Sequence, residues 1–159
     1  MTGRALVITV STRAAAGVYP DRSGPAVVEE LVAAGWQVDG PVVVPDGEAV
    51  EGALRAAIVE AYDVVLTSGG TGLGPDDTTP EATARVAERL APGLAEAIRA
   101  SGVEAGVATA VLSRGIAGVA GRTLIVNLPG SVGGARDGIQ ALLPVLGHAV
   151  DQLRGGDHR

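Results

Sequence analysis

The chain has no cysteine, no lysine and no phenylalanine, and only one tryptophan, two tyrosines and two histidines in 159 residues. Without cysteine there are no disulfides, no thiolate catalysis and no zinc-thiolate centres. Without lysine there is no Schiff-base chemistry and no Walker A cation; all 12 basic side chains are arginine. His148 and His158 are the only imidazoles, too few for a histidine-built metal centre. The lack of aromatics removes the platforms on which bases stack, so the core must be built from Val, Leu, Ile and Ala. Acids outnumber bases 18 to 12, a net charge of −6, which argues against a nucleic-acid partner held through phosphates. The longest uncharged stretches, 123–135 and 138–150, fall short of the roughly 20 apolar residues that span a bilayer. The apolar run at 5–10 is too short for a signal-peptide core. A cytoplasmic protein with no membrane partner is expected. With 47% hydrophobic and 19% charged residues the chain should fold, as one domain over 1–154 followed by a polar tail at 155–159.

Short apolar runs at 5–10, 42–44, 64–67 and 123–128 read as strands buried on both faces. Helical stripes lie between them: Val27, Val28, Leu31 and Val32; then Val50, Leu54, Ala57, Ile58 and Ala61; then Val86, Leu90, Leu94 and Ile98, which Pro92-Gly93 should divide. Ile139, Leu142, Leu143, Leu146, Val150 and Leu153 mark a long last helix that Pro144 should kink or split. The order β-α-β-α-β-α-α-β-α, with a possible extra ribbon at 115–119, predicts an α/β fold with a mainly parallel sheet covered on both faces. Ligands in such folds sit at the carboxyl ends of the strands. That rule singles out the loops 11–23, 45–48, 68–79 and 129–135.

The third of these loops runs Thr67-Ser68-Gly69-Gly70-Thr71-Gly72-Leu73-Gly74-Pro75. Glycine lets backbone amides approach a ligand with no Cβ in the way, and successive N–H groups cradle an anion. The alternative is a turn that only needs positive φ. Neither G-x-x-x-x-G-K-[ST] nor G-x-G-x-x-G is present. Asp76 and Asp77 follow, ahead of Thr78-Thr79-Pro80-Glu81. Thr78 with Glu81 could form a capping box, or Thr79 could cap with Pro80 at the first helical position. Caps do not explain carboxylates beside an anion loop. Next to phosphate a carboxylate repels unless a cation lies between, and Mg²⁺ takes one or two carboxylates plus phosphate oxygens. Asp76 reads as a solvated turn residue, and Asp77 stands open between turn and metal ligand. Asp46, in Pro45-Asp46-Gly47-Glu48, either caps the next helix or shares that ion from the same rim. After the last strand, Asn127-Leu128-Pro129-Gly130-Ser131 is an ordinary connection, or a second anion site at a helix start that Ser131 caps. Arg13, Arg22 and Arg114 are candidates for phosphate contact or solvated surface side chains.

Taken together, these loops resemble the MogA/MoaB family of molybdenum-cofactor biosynthesis proteins. The resemblance rests on Thr67-Ser68-Gly69-Gly70-Thr71-Gly72 with Asp77 and Thr79-Pro80-Glu81, on Ser11 with Gly17-Val18-Tyr19 and Asp21, and on Pro45-Asp46. Pro92-Gly93 with Glu96 and Arg99, Leu112-Ser113-Arg114, and Asn127 to Ser131 complete it, over about residues 4–154. It implies a three-layer α/β/α sandwich, commonly a homotrimer. It also implies a molybdopterin adenylyltransferase that uses Mg²⁺ and ATP to adenylylate molybdopterin with release of pyrophosphate, and hand-over to a MoeA-type molybdate-inserting protein. By this resemblance Asp46 and Asp77 are the catalytic and metal-holding acids. Thr67, Gly69, Gly70, Thr71, Gly72, Pro129, Gly130 and Ser131 contact nucleotide or pterin phosphates, with Ser11, Ser113 and Asn127 as further ligand contacts. A relative that binds molybdopterin without catalysis, a structural trimer, and a flavin carrier (poorly served by so few aromatics) are the competing expectations.

Overall fold

The apolar runs at 5–10, 64–67 and 123–128 form the centre of one sheet in a computed structural model of the chain. The structure describes residues 3–156, so the expected tail lies outside the described residues from 157 onward. Chain order is β1 (Arg4–Val10), α1 (Thr12–Ala15), α2 (Ser23–Ala33), β2 (Gln37–Val44), α3 (Glu48–Val59), β3 (Val64–Ser68), α4 (Thr79–Val86), β4 (Arg89–Leu90), α5 (Pro92–Glu104), a 3-10 turn (Ala108–Leu112), β5 (Ala117–Ala120), β6 (Thr123–Leu128) and α6 (Val132–Leu153). The sheet order is β2-β1-β3-β6-β5-β4. The first four strands are parallel and the last two antiparallel.

Side chains of a strand alternate between its faces, and here the alternation divides two cores. Ala5, Val7, Val64, Leu66, Leu124, Val126 and Leu128 pack with α2, α5 and α6. Leu6, Ile8, Val10, Val65 and Ile125 pack with α3 and α4 on the other face. The result is the expected three-layer α/β/α sandwich. Each fully buried Leu or Ile contributes about 1.5–3 kcal/mol, so both layers are needed to cover the sheet.

Three details differ from the sequence reading, and the extra ribbon it allowed at 115–119 is present at Ala117–Ala120. Strand β2 reaches back to Gln37, past Asp39, Gly40 and Pro41, with a register shift opposite Leu6 and Ile8. An edge strand pairs on one side only, so it tolerates proline and a bulge that a central strand would not. Leu90 belongs to β4 and is 62% exposed, not part of a helical stripe; Pro92 instead opens α5. The extra ribbon is β5, joined to β6 by the two-residue turn Gly121-Arg122, with Gly121 at φ +58. Helix α6 runs unbroken through Pro144. A proline removes one hydrogen bond, and the packing of Leu142, Leu146 and Val150 carries the helix across the gap.

Candidate active site

Because β1, β2, β3 and β6 are parallel, their carboxyl ends share one edge, and the loops that follow them meet there. Gly69 is where they touch. It has φ +106, its N–H donates to Leu128 O at 3.1 Å, and a Cβ on it would lie 2.2 Å from Val10 O. Only glycine permits backbones of three strands to approach so closely. Ser68 Oγ donates to Pro129 O at 2.9 Å and lies 3.0 Å from Ser23 Oγ.

Two clefts open on this edge. One, of about 880 Å³, is lined by residues including Ser11, Arg13, Asp46, Gly69 and Ser131. The other, of about 600 Å³, is lined by Thr71, Gly72, Ile98, Leu112, Ser113 and Pro129 among others. Gly70, Asp77, Gly130 and Ser131 line both and form the ridge between them.

Asp46 is held from the first loop. Thr12 donates to its Oδ2 from N at 3.2 Å and from Oγ1 at 2.7 Å, and Asp46 N returns a bond to Thr12 Oγ1 at 3.1 Å. It does not cap α3. The cap position is Gly47, at φ +99, without a side-chain bond. Asp77 Oδ2 accepts from Gly74 N at 3.0 Å, closing the far end of the glycine loop. A Cβ on Gly70 would lie 3.0 Å from Asp46 Oδ1, and one on Gly72 would lie 2.8 Å from Asp77 Oδ2. Both acids therefore stand against the same bend.

Arg114 fixes that bend from outside. Its N donates to Thr71 O at 2.7 Å, its Nε to Gly72 O at 2.8 Å and one Nη to Asp77 O at 2.6 Å. The guanidinium also pairs with Glu81. That hydrogen bond holds the Glu81 carboxyl below the usual carboxylate range, and Glu81 in turn raises Arg114. Arg114 is thus fully engaged within the protein, not a free phosphate contact. Glu81 makes no capping box, since Thr78 at the start of α4 has no side-chain cap bond. Arg99 similarly braces the neighbouring loop, donating to Ser113 O at 3.2 Å and Gly115 O at 2.9 Å. Arg13 lies 4.9 Å from the centre of the Tyr19 ring, and Tyr19 Oη is 2.9 Å from Ser11 Oγ. Among the described residues Arg13 forms no ion pair.

Two expected contacts lie elsewhere. Asn127 and Thr67 are 1% and 0% exposed. The Asn127 amide nitrogen donates to Thr67 Oγ1 at 3.0 Å and to Thr83 Oγ1 at 2.9 Å. Its Oδ1 accepts from Ile116 N at 3.1 Å. These side chains tie β3, β6 and α4 together beneath the rim, so they do not face a ligand. Ser131 does cap α6, accepting from Gly134 N at 3.0 Å. The sequence assigns no role to Thr12, and it offers Thr79 only as a possible helix cap and as part of the Thr79-Pro80-Glu81 motif. The hydroxyl of Thr12 positions Asp46 through a pairing between distant loops, which no local spacing reveals.

Fold and rim define an α/β/α domain whose cleft-bearing edge is made of backbone amides, hydroxyls and two acids. Residues 6–148 match the family model described as "Probable molybdopterin binding domain", and the chain belongs to that family. It is 36% identical over 153 residues to a protein named molybdopterin adenylyltransferase from Helicobacter pylori, covering 94% of this chain and 86% of that one. It is 39% identical over 157 residues to a molybdenum cofactor biosynthesis bifunctional protein from Chlorobaculum tepidum, covering 98% of this chain and 50% of the relative. The chain thus spans about half the length of the bifunctional relatives it matches. The structure of the molybdopterin biosynthesis Mog protein from Mycobacterium ulcerans superposes with a TM-score of 0.91 at 48% identity, covering 98% and 99% of the two chains.

Proposed function

We propose that the chain adenylylates molybdopterin. A terminal phosphate oxygen of molybdopterin attacks the α-phosphorus of ATP, a new P–O–P link forms, and the α–β bond breaks to release pyrophosphate. The observation that carries the proposal is the ridge of Gly70, Asp77, Gly130 and Ser131 shared by two clefts. Two substrates seated on either side have their reacting groups meet over it, and catalysis by positioning requires such an arrangement.

Two polyanions must approach in a protein without lysine. Val132 and Gly133, at the start of α6, line the two clefts, and the first N–H groups of a helix have no partner within it. Arg13 adds a cation on the larger cleft, while Arg114 holds the glycine loop in shape. The donor set also suits Mg²⁺. It consists of hard carboxylate and hydroxyl oxygens, and a hydroxyl oxygen of Thr79 lies buried without a partner beside the loop. Among the described residues no group of three or more His, Cys, Asp or Glu could hold a metal alone. Mg²⁺ commonly takes one or two carboxylates and completes its shell from substrate phosphates and water. Asp46 and Asp77 would hold it, and when bound it neutralises phosphate charge. Neither acid needs to act as a base, because a phosphate nucleophile is already ionised near neutral pH.

Incubation with molybdopterin and ATP, with and without Mg²⁺, should give adenylylated molybdopterin and pyrophosphate only with the ion. Asp77→Ala should leave the fold intact and abolish release of pyrophosphate. Saturable binding of both substrates with no product would instead identify a molybdopterin carrier, and normal turnover by Asp77→Ala would remove the metal role. A homotrimer, residence in the cytoplasm and hand-over to a MoeA-type protein complete the proposal. No helix among the described residues is long and apolar enough to cross a membrane.

A further inference from the structure

Thr79 opens α4 and is 1% exposed. Its Oγ1 is the one buried side-chain polar atom without a hydrogen-bond partner among the described residues. Leaving a buried hydroxyl unpaired destabilises a fold, and valine would fill the same volume without that penalty. The neighbourhood explains why threonine is there. The point where a Cβ on Gly70 would sit lies 2.2 Å from Thr79 Oγ1 and 3.0 Å from Asp46 Oδ1. Thr12 engages the other carboxylate oxygen, Oδ2, and among the described residues nothing donates to Oδ1. A donor without an acceptor therefore stands close to an acceptor without a donor, both against the bare Cα of Gly70. Any side chain at 70 would enter the space between them.

We infer that Thr79 is a positioning residue for Asp46. When the cleft is loaded, its hydroxyl donates to Asp46 Oδ1, through a small turn of the carboxylate or one bridging water, and fixes the orientation in which Asp46 holds a divalent ion. The inference rests on the metal-holding reading of Asp46. Partners that orient a ligating carboxylate typically change metal affinity by about 10–100-fold.

The test uses the full chain, Mn²⁺ as the probe ion and a non-hydrolysable ATP analogue, with affinity read by calorimetry and stability by thermal unfolding. Thr79→Val should raise the Tm of the free protein by roughly 2–4 °C and weaken Mn²⁺ binding about tenfold or more. Thr79→Ser, which keeps the hydroxyl, should restore affinity to near wild type. A role in the fold alone would move these readouts the other way: lower Tm, unchanged affinity. Equal Mn²⁺ affinity in wild type and Thr79→Val overturns the inference and leaves the metal reading of Asp46 standing. A Thr79→Val chain that fails to fold also overturns it, because the hydroxyl would then have a structural partner. Failure of the wild-type protein itself to bind Mn²⁺ with the analogue overturns both.

Discussion

Asn127→Leu separates a structural from a ligand-binding role for the asparagine of the last strand. The substitution keeps the branching and heavy-atom count of the side chain, adds the bulk of two methyl groups, and removes three bonds: those from the amide nitrogen to Thr67 Oγ1 and Thr83 Oγ1, and that from Ile116 N to Oδ1. Thr83 Oγ1 still donates to Thr79 O at 2.9 Å, so it keeps a partner. Thr67 Oγ1, 0% exposed, and the Ile116 N–H are left unpaired. At about 1–3 kcal/mol for each buried group left unsatisfied, the loss is about 2–6 kcal/mol. For a urea m-value of about 2 kcal/mol/M the unfolding midpoint falls by about 1–3 M. Urea titration followed by far-ultraviolet circular dichroism reads that shift. ATP affinity, measured where the variant is folded, should stay at the wild-type value, because Asn127 lies beneath the clefts. Adding Thr67→Val removes one of the two orphans and should recover about 1–2 kcal/mol, as expected when both members of a buried pair become apolar. A midpoint shift under about 0.3 M, or loss of ATP affinity at unchanged stability, would refute the structural role.

Gly70→Ala should destabilise by roughly 2–4 kcal/mol, because φ is +66 and the new Cβ would sit 2.2 Å from Thr79 Oγ1; denaturant unfolding checks this, and a wild-type midpoint would show that the bend is not confined as described. Arg114→Gln should lower Tm at neutral pH and loosen the glycine loop, seen as faster amide exchange over residues 70–78. Its pH dependence has a definite sign. Glu81 is held below its ordinary value of 4.5 chiefly by the Arg114 hydrogen bond, so that stabilisation is present above 4.5 and is lost as pH falls through the lower, folded-state value. The Tm gap between wild type and Arg114→Gln should therefore narrow in acid, keeping only the part due to the carbonyls of Gly72 and Asp77. A gap that stays constant between about pH 7 and pH 3 would show that Glu81 contributes nothing.

What could be read in the sequence was what depends on short-range periodicity. An unbroken apolar run such as Val64, Val65 and Leu66 announces a strand covered on both faces, and the parallel order it implies places four loops on one edge without further information. Strand β2 was half hidden because Asp39, Gly40 and Pro41 resemble a turn, and only its place at the sheet edge makes them acceptable. Pro144 does not split α6, since tertiary packing of Leu142 and Leu146 outweighs one missing backbone bond. The same limit governs the site. Asp46 and Asp77 could be singled out because each follows a strand end. The carboxylate of Asp77 is held locally, by Gly74 N three residues before it, but its carbonyl is tied by Arg114, 37 residues away, and Asp46 by Thr12, 34 residues away, and no local spacing carries those two pairings. Local capping rules offer helix ends as one reading of Asp46 and Glu81, when the fold pairs their carboxylates with Thr12 and Arg114.

The all-arginine composition also acquires a physical meaning here. A glycine loop gains close access of its amides to a ligand but loses the side-chain packing that would hold it in shape. Its exposed carbonyls must then be tied by a donor with several N–H groups in a rigid fork. Arg114 meets Gly72 O, Asp77 O and Glu81 with one guanidinium, which a single ammonium point charge on a flexible stem cannot reproduce. Arg99 does the same for the carbonyls of Ser113 and Gly115. Arg114 behind the glycine loop and Arg99 on the smaller cleft thus keep backbone in place, and the positive charge lining the larger cleft is left to Arg13 and Arg22, joined in the proposed reaction by a cation that Asp46 and Asp77 would hold.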